Sequence, residues 1–264
     1  MKWLVYQWQL LLLSVSFFSR IPVPRDLPYS SERMNRSGRY FPTVGFIIGV
    51  LCAAIYLLMA SILPSHIAVL GMMAFSLLLT GAFHEDGLTD MADGIGGGMT
   101  IERRLAIMKD SRIGTYGAAT LIVALLMKFQ LLSYLASELS STYFALLMVA
   151  VHVASRSVAA SIIYSAPYVS DTDTSKSKPL ANSQTLAELG FILTCGFVVL
   201  LPFTFVASST IILILAVFRQ LFMTWLNRRI GGFTGDCLGA AQQISELLMY
   251  AVLVSFVHHQ WVIV

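Results

Sequence analysis

The chain has 264 residues, of which 57% are hydrophobic and only 12% charged, with a net charge of +3 and a mean hydropathy of +0.76. It contains apolar runs of roughly 18 residues or more, each enough to cross a hydrocarbon core of about 30 Å, so it reads as a polytopic α-helical membrane protein; the alternation a β-barrel needs is missing. The modest positive charge falls in short connections, which suits a protein whose solvent is the lipid bilayer and speaks against nucleic acid as a partner.

In chain order, Trp3 to Phe18 carries Gln7 and Gln9 beside Trp3, Tyr6 and Trp8, a pattern that suits either a short span or a helix lying in the interface. A polar stretch rich in Pro and Arg follows, from Arg20 to Arg39. Seven membrane-spanning helices are then predicted, at about 40–63, 65–83, 114–137, 142–165, 187–207, 210–226 and 239–257. No compositional break or internal repeat divides the chain, so residues 1–264 are expected to form a single all-α integral-membrane bundle. Cys52, Cys195 and Cys237 lie far apart and without metal-binding spacing, and read as packing thiols.

The loops alternate in positive charge. Arg20, Arg25, Arg33, Arg36 and Arg39 share one loop, Arg103, Arg104, Lys109 and Arg112 another, Lys176 and Lys178 a third, and Arg228 and Arg229 a fourth. The connections Pro64 to His66, Glu138 to Ser141 and Ser208 with Ser209 hold no Lys or Arg. The positive-inside rule then puts the first set in the cytoplasm.

One stretch departs from the composition of the rest. From Glu85 to Arg112 it holds ten of the chain's 31 charged side chains, between apolar runs of spanning length. Burying so much charge beside lipid is costly, so this is the expected active site. Asp86, Asp90 and Asp93 stand at i, i+4 and i+7, which sets three carboxylates on one helical stripe, within about 20 to 40° of one another. Like charges that close repel unless a cation joins them, and hard oxygen donors with room for waters and phosphates favour magnesium, Mg2+. Glu85, about 100° off the stripe, is a flanking ligand or a partner for Arg. His84 orients a carboxylate or contacts substrate; the plainer reading of a histidine at a helix end is structural.

The segment after the acids supplies the complementary half of a phosphate site. Gly94, Gly96, Gly97 and Gly98 permit close approach of a ligand, and Arg103, Arg104, Lys109 and Arg112 are candidate grips on phosphate oxygens. Part of this segment is amphipathic, so some of these cations are also read as lying on the membrane surface. Together the acids and cations point to phosphoryl-transfer or nucleotidyl-ester chemistry.

Further polar positions are expected to line the same cytoplasmic-side pocket. His152 and Arg156 lie one turn apart within an apolar span, Arg219 sits near the inner end of another, and residues 231–239 form a second Gly-rich acidic segment with Thr234 and Asp236. An intramembrane Arg needs a partner, and Asp236 or one of the clustered carboxylates is the expected one, with a plain ion pair between helices as the alternative. Lys128 is expected to snorkel toward the opposite face. The loop from Tyr164 to Pro179 reads as flexible or as a lid. On residues alone, a prenyl- or CDP-alcohol-type membrane transferase also fits, and a divalent-cation transporter fits less well, because its acids belong at mid-membrane on several helices.

Four segments carry a resemblance: RIPVP at 20–24, FHEDGLTDMADGIGGG at 83–98, RRLAIMKDSRIGTYG at 103–117 and GGFTGDCLGA at 231–240. They closely resemble the adenosylcobinamide-GDP ribazoletransferase family, also called cobalamin synthase, and the likeness runs through nearly the whole chain. It implies a magnesium-dependent transferase of the bacterial inner membrane. Such an enzyme joins adenosylcobinamide-GDP to α-ribazole or its 5′-phosphate, releases GMP and yields adenosylcobalamin or its phosphate, a late step of cobalamin biosynthesis. On that reading a ribazole hydroxyl attacks the β-phosphorus, and magnesium held by Asp86, Asp90 and Asp93, with Glu85 beside them, neutralises the diphosphate. Glu85 or Asp86 takes the proton, and Asp90 completes the catalytic set. Lys109, Arg112 and Arg156 are the favoured phosphate clamps, with His84, Arg103 and Arg104 as further substrate contacts. Thr234 and Asp236 meet the nucleobase, the ribose or a second metal. The partners expected are these small substrates and the lipid bilayer, with a homo-oligomer left open.

Overall fold

The computed structural model describes residues 2–170 and 181–263. These residues form eleven α-helices: α1 (Lys2–Phe18), α2 (Ser31–Ser37), α3 (Phe41–Ala60), α4 (Ser65–Thr80), α5 (Phe83–Gly97), α6 (Ile101–Met108), α7 (Thr115–Glu138), α8 (Ser141–Ser165), α9 (Leu186–Val198), α10 (Phe205–Ile230) and α11 (Gly235–His258), with a 3-10 turn at Gly38–Tyr40. Hydroxyl caps set several of the starts: Ser30 accepts from the Arg33 amide, Ser140 from that of Tyr143 and Thr234 from that of Cys237, while Thr185 and Glu188 cap each other's backbone amides at α9. Among the described residues the β-structure is a single bridge between Tyr168 and Phe233.

Five helices, counting α2 and α3 as one run, are long and apolar enough to cross a membrane; a sixth span arises if α4 and α5 are taken together across their 83° bend. The differences from the seven predicted spans have local causes. The run predicted at 187–207 contains Pro202, whose ring clashes with the carbonyl four residues back; the helix stops at Val198 and α10 begins at Phe205. α4 ends at Gly81 (φ 67°), and Ala82 is left-handed too (φ 56°), so the chain turns sharply before the acidic helix begins. The predicted loop from Tyr164 to Pro179, with Lys176 and Lys178, lies largely outside the described residues.

α8 is the central helix and is buried over most of its length, whereas α7 and α10 are buried over only a small part of theirs. It packs on α3, α9 and α11. α7 and α10 instead turn large apolar side chains outward, among them Ile122, Val123 and Leu126, and Leu213, Val217 and Leu221. That exterior would be untenable in water and suits lipid. The acidic helix α5 is enclosed by α11, α7 and α6.

Candidate active site

The site is built where α5 crosses α11. The two helices run antiparallel and touch at glycines: a methyl group on Gly87 would stand 2.9 Å from the Asp236 carbonyl oxygen, and one on Gly239 would stand 3.1 Å from that of His84. Their first turns therefore lie side by side, and both present acids there, as helix N-termini favour. A cavity of about 150 Å³ opens at this crossing. Asp86 and Asp90 line it from α5, Thr234 and Asp236 from α11, and Lys109 from the end of α6. The Thr234 hydroxyl also lies 3.3 Å from an Asp236 carboxylate oxygen.

The remaining walls are aromatic. Phe18 and Phe41 stack at 3.9 Å and 10°, and the His84 ring lies within 12° of parallel to both, 5.8 and 5.6 Å away. His84 is 1% exposed, and its Nε2 meets no hydrogen-bond partner among the described residues. Tyr168 and Phe233 form a second aromatic pair, 5.5 Å apart, and line the same cavity. Their segments are joined by the Val169 amide donating to the Phe233 carbonyl and the Phe233 amide donating to the Pro167 carbonyl. Burial pushes the Tyr168 phenol above its ordinary range, so it stays neutral.

Asp86, Asp90, Lys109, His84, Thr234 and Asp236 thus come together as the sequence suggests. Asp93 does not join them. Its carboxylate accepts the backbone amides of Gly114 at 2.7 Å and Gly117 at 2.8 Å, and so caps α7, whose own N-cap residue, Gly114, has no side chain to do so. Glu85 turns away from the cavity, is 7% exposed and accepts from Gln243 at 2.9 Å. The four-carboxylate metal set is therefore split. Among the described residues no three His, Cys, Asp or Glu side chains gather closely enough to hold a metal ion by themselves.

The cations divide in the same way. Arg104 donates to the carbonyls of Gly98 at 2.9 Å and Arg229 at 2.7 Å, fastening α6 to the end of α10. Arg112, with its side chain 87% exposed, forks onto Asp110 at 2.6 to 3.2 Å, which raises its pKa. Arg103 is exposed on α6. The glycines after the acids serve packing: the Tyr116 ring covers Gly96, and Arg104 lies against Gly94 and Gly98.

Arg156 lies deep in the bundle, 1% exposed, bonded to His152 Nδ1 at 2.9 Å and 3.6 Å from Glu246. Its carboxylate partner is thus neither Asp236 nor an acid of the cavity. Lys128 pairs with the same Glu246 at 2.5 Å, buried rather than snorkelling, because its face of α7 packs on α11 and not on lipid. Gln242 and Gln243 extend this network to Ser155 and Glu85. Arg219 ties α10 to α8 through Ser161 and Ser165. Glu246 and the two glutamines were missed by sequence reasoning; a polar i, i+1, i+4 trio in an apolar span was the available signal.

A family model for cobalamin-5-phosphate synthase matches residues 10–254. The chain is similar to the adenosylcobinamide-GDP ribazoletransferase of Vibrio parahaemolyticus, 60% identical over 251 residues that cover 95% of this chain and 94% of the relative. It is 55% identical to the enzyme of that name from Vibrio vulnificus over 257 residues, 97% of this chain and 100% of the relative. The one from Shewanella frigidimarina is 48% identical over 256 residues, 96% of this chain and 97% of the relative. No solved structure matches.

Proposed function

The chain belongs to the cobalamin-5-phosphate synthase family, and on that premise we propose that it is a magnesium-dependent transferase of the bacterial inner membrane that joins adenosylcobinamide-GDP to α-ribazole or its 5′-phosphate and releases GMP. The observation that carries the reading is the cavity whose wall holds Asp86, Asp90, Asp236 and Lys109 together. A diphosphate in transfer needs its charge balanced from fixed positions, and a cluster of acids beside a lysine answers that need once a divalent cation is present.

Asp86, Asp90 and Asp236 offer the hard oxygen donors that magnesium takes beside waters and phosphate oxygens, so these three would hold it together with the substrate's own diphosphate. Magnesium, when bound, would neutralise charge on the diphosphate. Lys109 grips the non-bridging oxygens, the ribazole hydroxyl attacks the β-phosphorus, and the bond to GMP breaks. Asp86, the exposed carboxylate of the group, takes the hydroxyl proton through whichever of its oxygens the cation would leave free. The cavity faces the cytoplasm on this reading, on the side of Arg228 and Arg229, with α9 counted among seven spans.

The test is GMP release by the purified protein from adenosylcobinamide-GDP, with and without magnesium, with each ribazole form as acceptor. Release that needs an acceptor and magnesium supports the reading. No release with either acceptor at saturating magnesium overturns it.

A further inference from the structure

The aromatic end of the cavity is not used by the phosphate chemistry, and its build is specific. Phe18 from α1, Phe41 from α3 and His84 from α5 present near-parallel rings, so three separate elements converge on one orientation. Tyr168 and Phe233 line the cavity as well. The polar feature of the ring cluster is His84, 1% exposed, with a ring nitrogen that has no partner among the described residues. A buried polar atom left unpaired is costly, and a bound ligand is one way to meet it.

We infer that this aromatic pocket is the base-recognition subsite for the acceptor nucleoside, taking its planar, largely hydrocarbon bicyclic ring against the rings of Phe18, Phe41 and Tyr168, with His84 as the hydrogen-bond partner of the ring nitrogen. The inference rests on the proposed reaction for the identity of the acceptor. The other bases present in that reaction are guanine and the adenine of the adenosyl group. Each has an edge with several donors and acceptors, which a wall of phenyl rings with a single imidazole would leave unpaired, whereas a benzimidazole presents one acceptor nitrogen and two apolar edges. A ring seated here lies in the same cavity as Asp86 and Asp90, which is where its ribosyl hydroxyl must react.

The experiment has a wild-type arm and a variant arm. In the first, free 5,6-dimethylbenzimidazole is titrated into the full-length wild-type protein by calorimetry, and is also used as an inhibitor with each substrate varied in turn. Binding, and competition with ribazole but not with adenosylcobinamide-GDP, is expected. Absence of binding, or competition with adenosylcobinamide-GDP alone, overturns the assignment, the latter giving the pocket to a purine of that substrate. Because calorimetry needs no turnover, ring binding by a protein that releases no GMP would sink the proposed reaction and leave the ring subsite standing. In the second arm, Phe18→Leu keeps an apolar side chain and should raise KM for ribazole about three- to tenfold, with KM for adenosylcobinamide-GDP within twofold. An equal rise in both, or a rise in the latter alone, overturns it.

Discussion

A methyl group added to Gly87 of α5 would stand 3.3 Å from the Cα of Gly239 of α11, and 2.9 Å from the carbonyl oxygen of Asp236. The two acidic helix starts share a cavity because nothing but hydrogen separates their backbones here. Gly87→Ala is expected to push α11 away, lowering GMP release more than tenfold together with Tm. Gly97→Ala is the control: its Cβ would meet only Ile107 at 3.6 Å, so turnover should stay within twofold. Equal effects of the two substitutions would show that the crossing does not position the site.

The carboxylates of α5 should separate into two classes. Asp86→Asn and Asp90→Asn remove donors from the cavity and are expected to cost several kcal/mol of transition-state stabilisation, on the order of 100-fold or more in turnover. Asp93→Asn removes an acceptor from the amides of Gly114 or Gly117. Its cost is about 1 to 3 kcal/mol of stability, with the magnesium dependence of the remaining activity unchanged. Magnesium titrations of GMP release alongside thermal unfolding test the split, and a raised magnesium requirement in Asp93→Asn would return that residue to the metal.

Among the cations, Lys109→Ala should raise KM for adenosylcobinamide-GDP by roughly 10- to 150-fold, the range of a charge-assisted hydrogen bond, with ribazole affected far less. Arg112→Ala should change either constant less than threefold, because its guanidinium is exposed and paired with Asp110. Steady-state kinetics with each substrate varied separately decide it; a larger loss in Arg112→Ala would shift the clamp to that loop.

The pair of Lys128 and Glu246 lies inside the bundle. Lys128→Met leaves the carboxylate with Arg156, His152 and the Gln242 amide but without its closest cation, and Glu246→Gln leaves two cations without their anion; each should cost about 3 to 5 kcal/mol, read as a fall in Tm or loss of extractable protein. The double variant should lose markedly less than the sum. Strict additivity would mean that the two charges are not coupled.

How much of this was legible depended on what each signal measures. The spacing of Asp86 and Asp90, and the two Gly-rich acidic segments, announced a site, because helical periodicity is a local property that sequence carries directly. Asp93 obeys the same periodicity, yet its use is decided by the amides of α7, which no spacing within α5 contains. Lys128 looked like a snorkelling residue because loop counting gives depth in the bilayer but not which neighbour a face meets. Arg156 announced its need for a partner, but the partner, Glu246, lies 90 positions on, hidden in a span whose mean hydropathy stays high. The aromatic wall was invisible for a similar reason: Phe18, Phe41 and His84 come from three helices, and only their packing makes one surface.

The consecutive left-handed residues Gly81 and Ala82 also fix a phase. Glu85 and Asp86 are neighbours on α5 with opposite destinations, one turned into the charged interior and the other out to the cavity. One residue of helix is about 100° of rotation. A one-residue deletion at the elbow would therefore carry Asp86 into the place of Glu85, toward Lys128, and a one-residue insertion would carry Glu85 into the place of Asp86, toward the diphosphate, with the hydropathy of the chain almost unchanged. The elbow acts as an index mark for the acidic helix, and its length constrains the enzyme more tightly than the length of any surface loop.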